Sequence, residues 1–151
     1  FRSKYCRIDE NGIGFRVRSE GRVQAKSAIT APFPLFPTDM QPQFLACQCF
    51  PDGISRVQET VFENRFAHAS ELAKLGANIA VQGNCATVVG GKLHAGVVRA
   101  TDLRAGAGLC IACMKIDGES KVLNPRYIDR GYENFVGLFS SIGADIALSE
   151  L

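Results

Sequence analysis

The chain repeats itself. Thr38-Asp39, Asp52-Gly53-Ile54-Ser55-Arg56-Val57, Arg65 and Leu75-Gly76-Ala77-Asn78-Ile79 return in the same order as Thr101-Asp102, Asp117-Gly118-Glu119-Ser120-Lys121-Val122, Arg130 and Ile142-Gly143-Ala144-Asp145-Ile146, at an offset of about 65 residues. Nearly constant spacing leaves room only for short insertions, so one supersecondary unit is used twice. Positions alike in both copies are first assigned to framework. Positions that differ mark where one copy can be specialised.

Within 151 residues, 46% hydrophobic and 21% charged, such a repeat has enough apolar material for one ordinary domain. A net charge of +2 without any run of lysine or arginine argues against a nucleic-acid partner. No stretch approaches the ~20 apolar residues of a membrane helix, and no signal-peptide layout opens the chain, so a cytoplasmic protein without a membrane partner is expected. Phe1 in place of methionine, and a last segment from Ile146 that reads as a strand with nothing after it, suggest a fragment of a longer protein. Cys47, Cys49, Cys110 and Cys113 lie in apolar, helix-like segments, where free thiols behave as small buried hydrophobes. Cys110-Ile-Ala-Cys113 has a zinc-like spacing but no second pair and no nearby histidine, so no metal and no cofactor are expected.

Asn11-Gly12 and Glu20-Gly21 bracket the alternating segment 13–18, and 22–30 alternates similarly, which predicts a β-hairpin. Thr38 is expected to cap a helix that has Pro42 in its first turn and ends by Gly53. A strand from Ser55 to Phe62, a helix capped by Asn64 and stopped by Gly76, a hairpin about Gly83-Asn84 and a strand from Leu93 to Arg99 follow. The second copy then supplies a helix from Asp102, a strand from Ser120, a helix from Asp129 and a strand from Ala144. The expected class is α/β: a mixed sheet covered by helices on one side. The whole chain, 1–151, is read as one domain, with 1–30 a hairpin of a preceding unit, 31–99 the first unit and 100–151 an incomplete second unit.

Capping alone explains an acid at Asp39 and at Asp102. Asp39 differs in its approach: Pro32-Phe-Pro-Leu-Phe-Pro37 is stiff and apolar and would fix the carboxylate at a cleft edge, as a general base requires. Arg65 and Arg130 follow expected caps, where a cation opposes the helix dipole, so something anionic should compensate. That anion is either a neighbouring acid, Glu63, Asp129 or Glu133, or a ligand. Arg104 stands where the first copy has Gln41, and beside Arg130 it could form a carboxylate- or phosphate-binding pair. His68 and His94 are alone on their segments. The run Ala105-Gly-Ala-Gly108 within a helix predicts close packing against a neighbouring element.

Four motifs in order, Phe33-Pro-Leu-Phe-Pro-Thr-Asp-Met-Gln41, Glu59-Thr-Val-Phe-Glu-Asn-Arg-Phe66 with His68, Ala100-Thr-Asp-Leu-Arg104 and Tyr127-Ile-Asp-Arg-Gly-Tyr-Glu133, resemble the C-terminal part of the UDP-N-acetylglucosamine 1-carboxyvinyltransferase family, the enolpyruvyl transferases of peptidoglycan synthesis. The resemblance runs from Ala31 to the end and is faint before it. The shikimate-pathway enolpyruvyl transferases share the fold and match these motifs less well. The resemblance implies an inside-out α/β barrel of repeated units and transfer of an enolpyruvyl group from phosphoenolpyruvate to the 3′-hydroxyl of UDP-N-acetylglucosamine. It implies that Asp39 contacts the sugar and acts as base, that Val61 contacts the sugar nucleotide, that Arg104 and Arg130 bind phosphoenolpyruvate, and that Arg65 lies by the interdomain cleft. It also implies a missing N-terminal domain whose mobile loop carries the proton-donating cysteine, so the chain by itself would hold part of an active site and be inactive. The alternatives are a non-catalytic sugar-nucleotide-binding or structural module that retains the fold, or a related 3-phosphoshikimate enolpyruvyl transferase.

Overall fold

The computed structural model describes residues 6–10, 15–19 and 23–149. At its start β1 (Cys6–Glu10) and β2 (Phe15–Ser19) pair antiparallel, with Glu10 opposite Phe15. The expected hairpin, 13–18 against 22–30, is thus displaced by one strand. Asn-Gly is a stronger hairpin signal than Glu-Gly, and the ladder lies to either side of Asn11-Gly12.

Two strand-helix-strand passages follow. In the first, the short β3 (Ala28–Ile29) lies parallel to β4 (Ile54–Gln58), with a 3-10 turn (Thr38–Met40) and α1 (Gln41–Gln48) between them. After α2 (Ala67–Lys74), the antiparallel hairpin of β5 (Asn78–Gln82) and β6 (Cys85–Val89) completes a mixed four-stranded sheet in the order β3-β4-β6-β5. The second passage has β7 (Val97–Arg99) parallel to β8 (Lys121–Leu123), with α3 (Leu103–Cys113) between them. Two short helices close the described chain, α4 (Arg126–Asp129) and α5 (Phe135–Ser141). Parallel strands need such a crossover, which is why each copy must spend a helix between its pair.

The repeated glycines show what the repetition preserves. Gly53 and Gly118 have φ of 111° and 98°, and Gly76 and Gly143 have 88° and 94°, a left-handed region that only glycine enters without strain. A Cβ on Gly53 would sit 3.3 Å from that of Ala25, and one on Gly118 would sit 3.3 Å from that of Ala95. Equivalent turns therefore pack against equivalent alanines.

Alternation decides the sheet's inner face: Ser55 and Val57 of β4 and Ala86 and Val88 of β6 are buried, while Ile54 and Arg56 are exposed. Against that face pack Leu45 and Ala46 of α1, Ala69 and Leu72 of α2, and Leu109 and Ala112 of α3, in one continuous core. Burying each leucine contributes roughly 1.5–3 kcal/mol. α3 is buried all along Ala105 to Cys110, because a helix without a polar face has to sit between other elements. Its two glycines point to opposite sides. A Cβ on Gly108 would lie 2.9 Å from the Pro42 carbonyl oxygen of α1, and one on Gly106 would lie 2.6 Å from Ile128 of α4. The small-residue run is the double-sided contact surface expected of it.

Several expected boundaries move. Thr38 caps nothing: its hydroxyl donates to Glu59, and Pro42 enters the first turn of α1 without a side-chain cap. Asn64 has φ of 54° and lies before α2, whose start is uncapped, and β4 stops at Gln58 because Glu59 turns its carboxylate onto the next backbone amides. Asp129 ends α4 instead of starting a helix, and Asn134 caps α5 through Gly137 N. Residues 144–149 form no strand. Cys49 and Cys110 are buried, and burial, reinforced by the neighbouring Cys47 and Cys113 thiols, pushes each up to about 12, so neither is a ready nucleophile. Cys47, on the outer side of α1, is exposed. No helix among the described residues is long and apolar enough to cross a membrane.

The α1–α3 contact is tested by Gly108→Ala. The methyl group meets backbone that cannot rotate away, so urea denaturation should show a loss of about 1–3 kcal/mol. Gly91→Ala, where nothing lies within 4 Å of the added carbon, should stay within about 0.5 kcal/mol.

Candidate active site

Because α1 and α3 cross closely, the segments that start them lie side by side. Asp39, in the turn before α1, meets Arg104 in the first turn of α3: Nε lies 2.6 Å from Oδ1, and Nη2 donates to Oδ2 at 2.7 Å. That is the two-point fork a guanidinium makes with a carboxylate. Arg65, on the loop before α2, brings Nη2 to 3.5 Å from the same Oδ1. Its guanidinium also lies 4.7 Å from the centre of the Phe62 ring, a cation-π contact that steadies it. One carboxylate and two arginines from three segments thus converge. The acids expected to compensate Arg65, among them Glu63, are not its partners.

Asp39 is 56% exposed, Arg104 30% and Arg65 21%. Partly exposed pairs contribute at most about 1 kcal/mol, so this cluster adds little to the fold and its arginines can be drawn to another anion. Beside it Phe62, Glu63, Asn64, Arg65, Ala67, Asp102, Leu103 and Arg104 line an open cleft of about 300 Å³. The N-terminus of α3 faces the same region. There Asp102 Oδ1 accepts from Arg104 N and Ala105 N, both at 2.9 Å.

The two Thr-Asp pairs therefore differ. Asp102 spends its carboxylate on its helix, whereas Asp39 makes no side-chain cap and is left to the arginines. Arg130 is not brought into the cluster. It follows α4 at a helix C-terminus, where a cation is favoured, so the expected conflict with a helix dipole does not arise. It is exposed and makes no ion pair among the described residues, and the next residue, Gly131, would place a Cβ 2.8 Å from Leu103. Val61 stands on the loop after β4, 40% exposed, and its N–H donates to Glu59.

Two residues, Glu59 on the same loop and His68 beyond it on α2, were given no role from sequence. Glu59 is 1% exposed and accepts hydrogen bonds from Thr30, Thr38, Val61 N and Phe62 N. Burial opposes its ionisation, but the Val61, Thr30, Thr38 and Phe62 donors together outweigh it and hold the carboxyl below its ordinary range. His68, on α2, is 2% exposed, and its Nε2 has no hydrogen-bond partner among the described residues. Burial lowers its pKa to about 4, Asp102 opposing and Arg65 adding to the shift. The signal for both was their place in the motif from Glu59 to Phe66 with His68.

Residues 6–139 match the sequence profile of EPSP synthase (3-phosphoshikimate 1-carboxyvinyltransferase). A UDP-N-acetylglucosamine 1-carboxyvinyltransferase of Jannaschia sp. (strain CCS1) is 49% identical over 141 residues, which cover 92% of this chain and 34% of that protein. One from Sorangium cellulosum (strain So ce56) is 48% identical over 95% of this chain and 35% of its own length. The crystal structure of the enolpyruvyl transferase NikO from Streptomyces tendae superposes with a TM-score of 0.79 at 31% identity, covering 94% of this chain and 33% of that one. The chain spans about a third of the length of the curated relatives it matches.

His68 makes stability depend on pH. Its folded pKa, about 4, lies below the ordinary 6.5, so the unfolded chain takes up the proton first as the pH falls. Stability should be level above pH 6.5 and decline by roughly 3 kcal/mol towards pH 4. Glu59, with a depressed pKa, adds its own loss as the pH falls through the ordinary carboxylate value of 4.5 towards its lower folded one. Urea denaturation from pH 7.5 to 4 should show the first slope, and His68→Leu should flatten it.

Proposed function

We propose, since the chain belongs to the EPSP synthase family, that it carries part of the site at which an enolpyruvyl group passes from phosphoenolpyruvate to the 3′-hydroxyl of UDP-N-acetylglucosamine. The relatives it resembles at 42–49% identity carry the name of that transfer. In this reading the chain forms two of the repeated units of a larger domain, and the rest of the full-length protein supplies the opposite wall of the site.

The observation that carries the reading is the bracketing of Asp39 by Arg104 and Arg65 at the edge of a cleft. Enolpyruvyl transfer needs a base for the attacking hydroxyl and cations for a substrate that carries both a phosphate and a carboxylate. Asp39 takes the hydroxyl proton as that oxygen bonds to C2 of phosphoenolpyruvate, while C3 receives a proton from an acid that the reading places outside this chain. Loss of phosphate from C2 and of a proton from C3 then restores the double bond and leaves the enol ether. Arg104 and Arg65 hold the anion, with Arg130 approaching from the loop beside Leu103, and Val61 lies against the sugar nucleotide. Phosphoenolpyruvate competes with Asp39 for the two guanidinium groups. Seating the anion thereby frees the base.

In the full-length protein, phosphate release from phosphoenolpyruvate should require UDP-N-acetylglucosamine and should not proceed with shikimate 3-phosphate. Asp39→Asn should lower kcat by at least about 100-fold, and Arg104→Ala should raise KM for phosphoenolpyruvate at least tenfold. An Asp39→Asn enzyme within a few fold of wild type would sink the base assignment.

A further inference from the structure

Glu59 touches no cation among the described residues, yet it is a buried carboxylate held by four donors. Oε1 receives Thr30 Oγ1 at 2.8 Å, Val61 N at 2.8 Å and Phe62 N at 3.1 Å. Oε2 receives only Thr38 Oγ1, at 2.8 Å. The two oxygens serve different partners. Oε1 folds the loop that follows β4 onto the end of β3, a junction reinforced by Thr60 N donating to Thr30 Oγ1 at 2.9 Å. That loop goes on to Phe62, whose ring supports the Arg65 guanidinium. Oε2 reaches across to the residue next to Asp39.

The 3.5 Å contact between Asp39 and Arg65 is therefore spanned from beneath by one side chain that holds both approaches. We propose that Glu59 is a positioning residue: it sets the place of Asp39 through Thr38 and the place of Arg65 through the backbone of Val61 and Phe62. It touches neither substrate. This inference rests on the reading of Asp39 as the base. An acid suits the position better than an amide, because a carboxylate is acceptor-only and all four of its neighbours can donate to it. The turn holding Asp39 has no side-chain cap and Pro37 at its start, so the Thr38 bond is the tie that locates it against the loop.

The test uses the full-length protein and steady-state kinetics with both substrates. Thr38→Val removes the tie to Glu59 and leaves the other three bonds, and Thr38→Ser keeps it. Thr38→Val should lower kcat at least tenfold with both KM values within threefold, since displacement of a base by about 1 Å costs up to 100-fold in rate; Thr38→Ser should stay within threefold of wild type. Glu59→Asp, shorter by one methylene, should lower kcat and also raise KM for phosphoenolpyruvate. Glu71→Asp makes the same change at the other glutamate buried among the described residues, which accepts from Arg99 N and Lys74 Nζ. It should lower Tm but leave kcat within twofold.

If Thr38→Val and Glu59→Asp keep kcat within threefold, Glu59 is a structural acid and the proposal is overturned. Should Glu59→Asp fail to fold, the two Thr38 variants decide the matter alone. Asp39→Asn, assayed alongside, separates the two levels. A full loss of rate with an active Thr38→Val enzyme removes this inference only, whereas an active Asp39→Asn enzyme removes both.

Discussion

The approach of α3 to α1 at Gly108 is the contact on which the site depends. Glycine lets the backbone of α3 come against the Pro42 carbonyl, and two helices this close start side by side. Asp39 and Arg104, which are 65 residues apart in sequence, meet only for that reason. A larger residue at Gly108 would act on the cluster as well as on the core, because the same rigid helices carry both. Here packing and chemistry are one constraint.

The cluster itself contributes little to stability, which suits a binding site. Its three side chains are partly in water, where a bidentate pair is geometrically well defined but energetically modest. The buried polar bonds lie one layer below, at Glu59. Such a division lets the surface charges exchange partners while the frame under them stays fixed. Duplication supplied the frame twice, and divergence at Gln41 and Arg104 made the copies unequal.

What was legible in the sequence was whatever local chemistry decides. The glycines of the repeat mark left-handed turns because no other residue is at ease there, and the Ala-Gly run of α3 marks close contact because only small residues allow it. The hairpin about Gly83-Asn84 and the cap at Asp102 are local in the same sense. Helix starts that depended on distant partners were misread. Thr38 looks like a cap until Glu59 takes its hydroxyl, and Asn64 looks like one although α2 begins only at Ala67, without a side-chain cap. The candidate Asp39 was found through its proline-rich approach. That Arg104 and Arg65 would both turn to it, while Arg130 would not, depended on the crossing of α1 and α3, which no single segment encodes.

The apolar girth of α3 has a consequence for how such a chain can be cut and recombined. A helix buried on every side belongs to neither copy: it is the second copy's crossover, yet its flanks are the first copy's α1 and its own α4. A breakpoint between the copies would strip one flank and expose a wholly apolar surface, the condition under which partly folded chains aggregate. Exchange of segments between relatives should therefore carry both copies together. The sequence repeats as two modules, but the smallest heritable block that keeps its core dry is the pair.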